Sequence, residues 1–153
     1  MSQEYDSRQD TIQHIERVRW LLDTCITDLH NRKNEHDRSK LEDPEKSIFD
    51  RMTPLLKGST YGSEEYRGFL AEMKPALDHH YANNSHHPEH YENGVDGMSL
   101  LDLLEMLCDW KAAGERHADG SLAKSLEINR DRFKVSPQLQ SILENTAREL
   151  GWL

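Results

Sequence analysis

Ser99-Leu100-Leu101-Asp102-Leu103-Leu104-Glu105-Met106-Leu107-Cys108-Asp109-Trp110 decides how the rest of the chain is read. Ser99 with Asp102 three residues later has the spacing of a capping box, and the apolar residues behind it leave almost no polar face. The stretch therefore predicts a central helix. Its exceptions are informative, because Asp102, Glu105 and Asp109 are three and four residues apart and project from one stripe of an otherwise enclosed element. An ionised carboxylate is costly to enclose unless it is paired or bound to a metal. Asp102 reads as a first-turn charge favoured by the helix dipole, Glu105 as an acceptor that orients a ligand histidine, and Asp109, deepest in the helix, as a metal ligand.

Helical spacing extends outward from this segment in both directions. Ser7 and Asp10 have capping-box character, and from Thr11 to about Leu29 the residues Ile15, Val18, Leu21, Leu22, Cys25 and Leu29 form a stripe whose buried face includes His14 near the helix start. Asp43-Pro44 opens a short helix carrying Ile48, Phe49, Met52 and Leu55, and residues 57–62 read as loop. Ser63-Glu64-Glu65 opens a third, carrying Tyr66, Phe69, Leu70, Met73 and Leu77, with Pro75 expected to kink it. Further helices are expected from about Ser121 to Phe133 and from Ser136 to Leu150, the last opened by Ser136-Pro137 and closed by Gly151. No run alternates with period two and β-branched enrichment. The expected fold is all-α, a compact single-domain bundle of five to seven helices over residues 1–153, with a core at about 11–115 and C-terminal packing helices within 121–150.

Two polar stretches interrupt the helices. Glu35-His36-Asp37-Arg38-Ser39-Lys40 places an imidazole beside a carboxylate, a pair able to coordinate one divalent cation, with an ammonium near enough to hold an anion against it. The bland alternative is a charged interhelical turn. Five of the nine histidines then fall between His79 and His90. His80 follows Met73 by seven residues and Leu77 by three, which turns it inward, while Asn84-Ser85 and Pro88 imply a rigid turn that aims one or both of His86 and His87. A pH-sensitive surface loop is the competing reading.

Composition narrows the class of function. With 28 acidic against 19 basic residues and a net charge of -9, the chain lacks the basic surface of a nonspecific nucleic-acid binder or an anionic-membrane binder. A small anionic substrate would need a metal to attract it. Cys25 and Cys108 lie in apolar helical patterns and read as reduced, buried thiols of a cytoplasmic protein. Met1 to Asp10 has no apolar signal-type core, and no apolar run reaches eighteen residues.

The order His14, His36-Asp37, Asp109 over successive helices resembles the HD superfamily of metal-dependent phosphohydrolases, across roughly residues 11 to 115. His36-Asp37-Arg38-Ser39-Lys40 is similar to the His-Asp-x-x-Lys signature of HD-GYP cyclic-dinucleotide phosphodiesterases, although no Gly-Tyr-Pro follows His86-His87. His80, His86 and His87 resemble the second-metal ligands of binuclear members. The whole sequence, with His-His-Pro-Glu-His and Asp-Trp-Lys-Ala-Ala, also resembles a family of small phage and bacterial proteins of unassigned function. The resemblance implies a His14, His36, Asp37, His80, His86, His87 and Asp109 ligand set for one or two ions among Mn, Fe, Co, Ni, Mg and Zn, with Asp37 as a bridge and a metal-activated water as nucleophile. Lys40, with Arg38 and Lys111, would meet the phosphate of a phosphoester substrate, expected to be a nucleotide. Two other classes share these residues: an HD-type di-iron oxygenase, and a non-enzymatic helical interaction protein with a structural metal.

Overall fold

The structure is a computed structural model that describes residues 5–59, 63–116 and 120–153. It is all-α. Six helices follow one another as α1 (Arg8–Glu35), α2 (Glu45–Gly58), α3 (Glu64–Asn83), α4 (Leu100–Gly114), α5 (Leu122–Phe133) and α6 (Pro137–Glu149), with short 3₁₀ turns at Arg38–Leu41, Pro88–His90 and Gly94–Gly97 and no strand among the described residues. Part of the expected 57–62 loop is helix, since α2 continues through Gly58, and residues 60–62 lie outside the described residues, as do residues 1–4 of the N-terminal segment.

Local chemistry explains where the helices begin and end. Ser63 Oγ accepts from the backbone N–H of Tyr66 at the start of α3, with Glu64 and Glu65 in the first turn where the dipole favours negative charge. Ser99 and Asp102 form the full reciprocal box of α4. Ser136 caps α6 with Pro137 behind it, and Gly151, at φ 71°, ends it in a left-handed turn from which Trp152 N–H reaches Ala147 O at 2.8 Å. Both Pro54 and Pro75 lie inside helices that continue past them.

Contacts divide the chain into residues 1–35 and residues 36–153. The first unit is α1. It runs six residues beyond the Leu29 expected from its apolar stripe, and the added residues include Arg32, which pairs with Asp28 one turn back at 2.6 Å. None of its residues is buried: Ile15, Val18, Leu21 and Leu22 are between 38% and 56% exposed. Within its own unit α1 has nothing to cover the apolar face expected of it. Periodicity identifies the side of a helix that can be covered and does not supply its cover.

In the second unit, Leu103, Met106 and Leu107 of α4, Leu122 and Leu126 of α5, Val135, and Leu143 and Ala147 of α6 form one apolar cluster, with Trp110, Phe133, Leu139 and Trp152 against it. Trp110 and Phe133 stack with ring planes 5° apart. The C-terminal helices α5 and α6 thus pack against α4. Nor is α4 enclosed on all sides, since Leu100 is 77% exposed. Cys108 and Cys25 are exposed, correcting the expectation of two buried thiols. No described helix is long and apolar enough to cross a membrane.

Candidate metal centre

The second unit opens at His36-Asp37, directly after α1 ends at Glu35. Asp37 has φ 54° and ψ 14°, a left-handed conformation that a non-glycine residue adopts only against a steric cost. It stands at the N-cap position of the 3₁₀ turn at Arg38–Leu41 but makes no side-chain capping bond. Its carboxylate is turned toward the histidines instead. Oδ1 lies 3.3 Å from His80 Nε2 and 3.5 Å from His86 Nε2, while Oδ2 lies 3.7 Å from His36 Nε2 and accepts from Lys40 Nζ at 2.6 Å.

Three other elements complete the arrangement. Near the end of α3, His80 is turned inward and 2% exposed, with its Nε2 2.9 Å from His87 Nε2. The 84–91 turn brings His86, 1% exposed, and His87 beside it, with His86 and His36 ring centroids 4.5 Å apart. From α4, Asp109 places Oδ1 3.8 Å from His36 Nε2 and Oδ2 4.0 Å from His86 Nε2. Potential ligand atoms gather in three groups: Asp37, His80, His86 and His87; His36, Asp37 and Asp109; and His36, His86 and Glu105. Asp37 belongs to the first two. His14, in contrast, lies exposed on α1 in the other unit and belongs to none of these groups among the described residues.

The donors are oriented by carboxylates behind them. Glu105 Oε1 lies 2.9 Å from His36 Nδ1 and 3.2 Å from His86 Nδ1, so one side chain fixes two rings with their Nε2 atoms facing Asp37 and Asp109. Asp102 does not face this cluster. It is 4% exposed and accepts from Ser85 Oγ at 2.7 Å, Tyr91 OH at 2.8 Å and the Ser99 backbone and hydroxyl at 2.8 Å, pinning the histidine turn to the start of α4.

Two buried atoms here make no hydrogen bond: Asp37 Oδ1 and His86 Nε2. A buried polar atom without a partner is costly, and such atoms signal an ion or a water. Donors that share one divalent ion at about 2.1 Å sit roughly 3 to 3.5 Å from each other. The Asp37–His80, Asp37–His86 and His80–His87 separations fall at 2.9 to 3.5 Å. The residues therefore fit a divalent cation, with imidazole nitrogen and carboxylate oxygen donors and no thiolate.

Electrostatics agree with that fit. Burial opposes ionisation of Asp37, yet the adjacent His80 and His86 rings and the bond from Lys40 overcome it and hold the carboxyl well below its ordinary range. Asp109 is likewise lowered, burial being outweighed by His36. Asp109 and Glu105 raise His36 to about 10, and burial pushes His87 down to about 3, which leaves that ring neutral with a lone pair for a cation. Of the cations expected to meet a phosphate, Lys40 is partly exposed and paired with Asp37, Arg38 is exposed in the adjoining turn, and Lys111 pairs with Glu115 at 3.1 Å.

The residues that sequence reading missed are Glu45, Ser39 and Asn84. Asn84 Nδ2 donates to Ser39 Oγ at 2.9 Å, and Ser39 Oγ lies 3.3 Å from His80 Nδ1. Each is polar in a polar stretch, and tertiary pairing across 34 or more positions brings each to the site, Asn84 also reaching His80 four residues back. A family model described as a family of unknown function (DUF5662) matches residues 3–149. No curated protein and no solved structure matches the chain.

Proposed function

The chain belongs to that family, and from its site we propose that it is a metal-dependent phosphohydrolase acting on a phosphoester, with a nucleotide as the expected substrate. The observation that carries the proposal is the Asp37 carboxylate, shared by two donor groups and holding a buried, unbonded Oδ1 against an equally unbonded His86 Nε2. Asp37, His80, His86 and His87 would hold one ion, and His36, Asp37 and Asp109 a second. Such ions supply positive charge for a phosphoryl group and acidify water near neutral pH.

The chain's own residues define the rest. Asp37, fixed in its left-handed turn, presents one oxygen to each donor group. Glu105 keeps His36 and His86 aimed at the same space. Lys40, partly exposed at the edge of the cluster, exchanges its bond with Asp37 for a phosphate oxygen and offsets charge that grows there during cleavage. Hydrolysis suits this set because every donor is hard or borderline and the cluster adjoins a partly exposed cation, Lys40, at its rim.

The four-donor group also supports a second reading, in which a single tetrahedral ion is fully enclosed by Asp37, His80, His86 and His87 and serves structure alone. One experiment separates the two. Elemental analysis of untagged protein should find a transition metal, and phosphate release should appear on a panel of nucleoside mono-, di- and triphosphates supplied with Mn or Co. Metal without any phosphate release, and loss of helix content on chelation, would favour the structural ion. An iron chromophore in the visible range would point to the oxygenase class.

A further inference from the structure

Glu45 is the first residue of α2, where the helix dipole favours a negative charge, and its side chain is fully buried. Its oxygens are divided between two consecutive residues of α3, Oε1 lying 2.7 Å from His79 Nδ1 and Oε2 2.9 Å from His80 Nδ1. The two rings differ in setting. The His79 side chain is 41% exposed, whereas that of His80 is 2% exposed and carries its other nitrogen to the centre of the donor cluster.

We propose that Glu45 is a positioning residue of the metal site, holding the His80 proton on Nδ1 so that Nε2 is left as a lone-pair donor toward Asp37 and His87. The inference rests on the metal-site reading above and extends it to α2, which supplies none of the grouped ligand atoms. A neutral imidazole carries one proton. With that proton facing Glu45, the His80 and His87 Nε2 atoms lie 2.9 Å apart, close enough to be neighbouring donors to one ion. The pattern repeats at Glu105, whose Oε1 faces Nδ1 of both His36 and His86 while their Nε2 atoms point inward. Three imidazoles are thus oriented by two carboxylates. Ligating histidines ordinarily back onto a carboxylate in this way, and losing that partner lowers metal affinity. Burial works against ionisation of Glu45, and bonds from His79, Ser39 and His80 outweigh it.

The competing role for Glu45 is a simple staple between α2 and α3. Calorimetric titration of Zn, Mn and Co into wild type and Glu45→Gln separates them, with circular dichroism confirming that the variant is helical. A positioning role predicts affinity about ten- to a hundredfold weaker at unchanged helix content. A staple predicts a lower unfolding midpoint with unchanged affinity, and that result would overturn the proposal. Nitrogen-15 NMR of metal-free wild type in alkaline buffer gives a test that needs no variant. His80 should carry its proton on Nδ1; finding it on Nε2 would sink the positioning role whatever Glu45→Gln does. Failure of wild type to bind any of the three metals would instead overturn the metal site itself, while the NMR result would still report how Glu45 sets the ring.

Discussion

Helix α4 borders two regions built on opposite principles. Leu103, Met106 and Leu107 form one stripe and join the apolar cluster with α5 and α6, while Asp102, Glu105 and Asp109 form the neighbouring stripe and face the histidines and the turn that carries them. The first region is held by area removed from water, a non-directional force summed over many contacts. The second is held by a few directed polar contacts, and it includes buried atoms with no hydrogen bond. A lost methyl in the cluster costs stability and leaves the chemistry in place; a lost oxygen in the site does the reverse.

The sharpest break in that contrast is Asp37→Asn. Asparagine tolerates the left-handed backbone, so the bend should survive, but the anionic donor common to both groups is gone. Metal content should fall to background with helix content retained, as read by elemental analysis and circular dichroism; a fully loaded variant would show that Asp37 is not a ligand. Leu107→Ala tests the other region, since its side chain is fully buried. Denaturant unfolding should show a loss of about 2 to 5 kcal/mol, with metal stoichiometry unchanged in the folded protein.

Lys40→Ala asks how far the site extends toward its substrate. Metal stoichiometry should hold while turnover on the best nucleotide falls about ten- to a thousandfold. Turnover at the wild-type rate would leave Lys40 as a partner of Asp37 and nothing more. The smallest effect expected is a pH dependence with two opposed signs. In the metal-free protein His36 is raised to about 10, so its contribution to stability is full below its ordinary value near 6.5 and is lost as pH climbs toward 10. Metal affinity should rise over the same interval, because an ion displaces the proton that His36 holds. Urea midpoints of the metal-free protein and titration calorimetry across this range would test it, and parallel trends would show that His36 is not a ligand.

Much of this organisation is written locally and was legible in sequence. Ser63, Ser99 and Ser136 announce their helices because capping depends on residues three apart, and the all-α class follows from apolar spacing within each segment. The inward turn of His80 and the place of Glu105 beside His36 were readable for the same reason, since a carboxylate or imidazole on an apolar stripe stands out, whereas His36-Asp37 stood out only as an adjacent pair in a polar stretch. Glu45 does not stand out. It sits among Glu42, Asp43 and Lys46, and its burial depends on α3 bringing His79 and His80 to it from 34 and 35 positions away. Ser85 and Tyr91 were equally silent, since only the position of Asp102 makes them anchors. Conversely, the stripe of α1 suggested burial that its own unit does not supply.

The Asp102 clamp bears on how fast the site can work. Ser85 and Tyr91 bracket His86 and His87, and both are tied to one buried carboxylate by protein bonds alone. On the metal-site reading the turn would already be in place for an arriving ion, with little chain ordering between encounter and capture. Amide hydrogen exchange across Ser85–Tyr91 should be slow in the metal-free protein and change little on loading. Release of Ser85 and Tyr91 by Asp102→Ala should convert the same segment to one that exchanges quickly until metal closes it, turning a ready-made receptor into one that must fold around its ion.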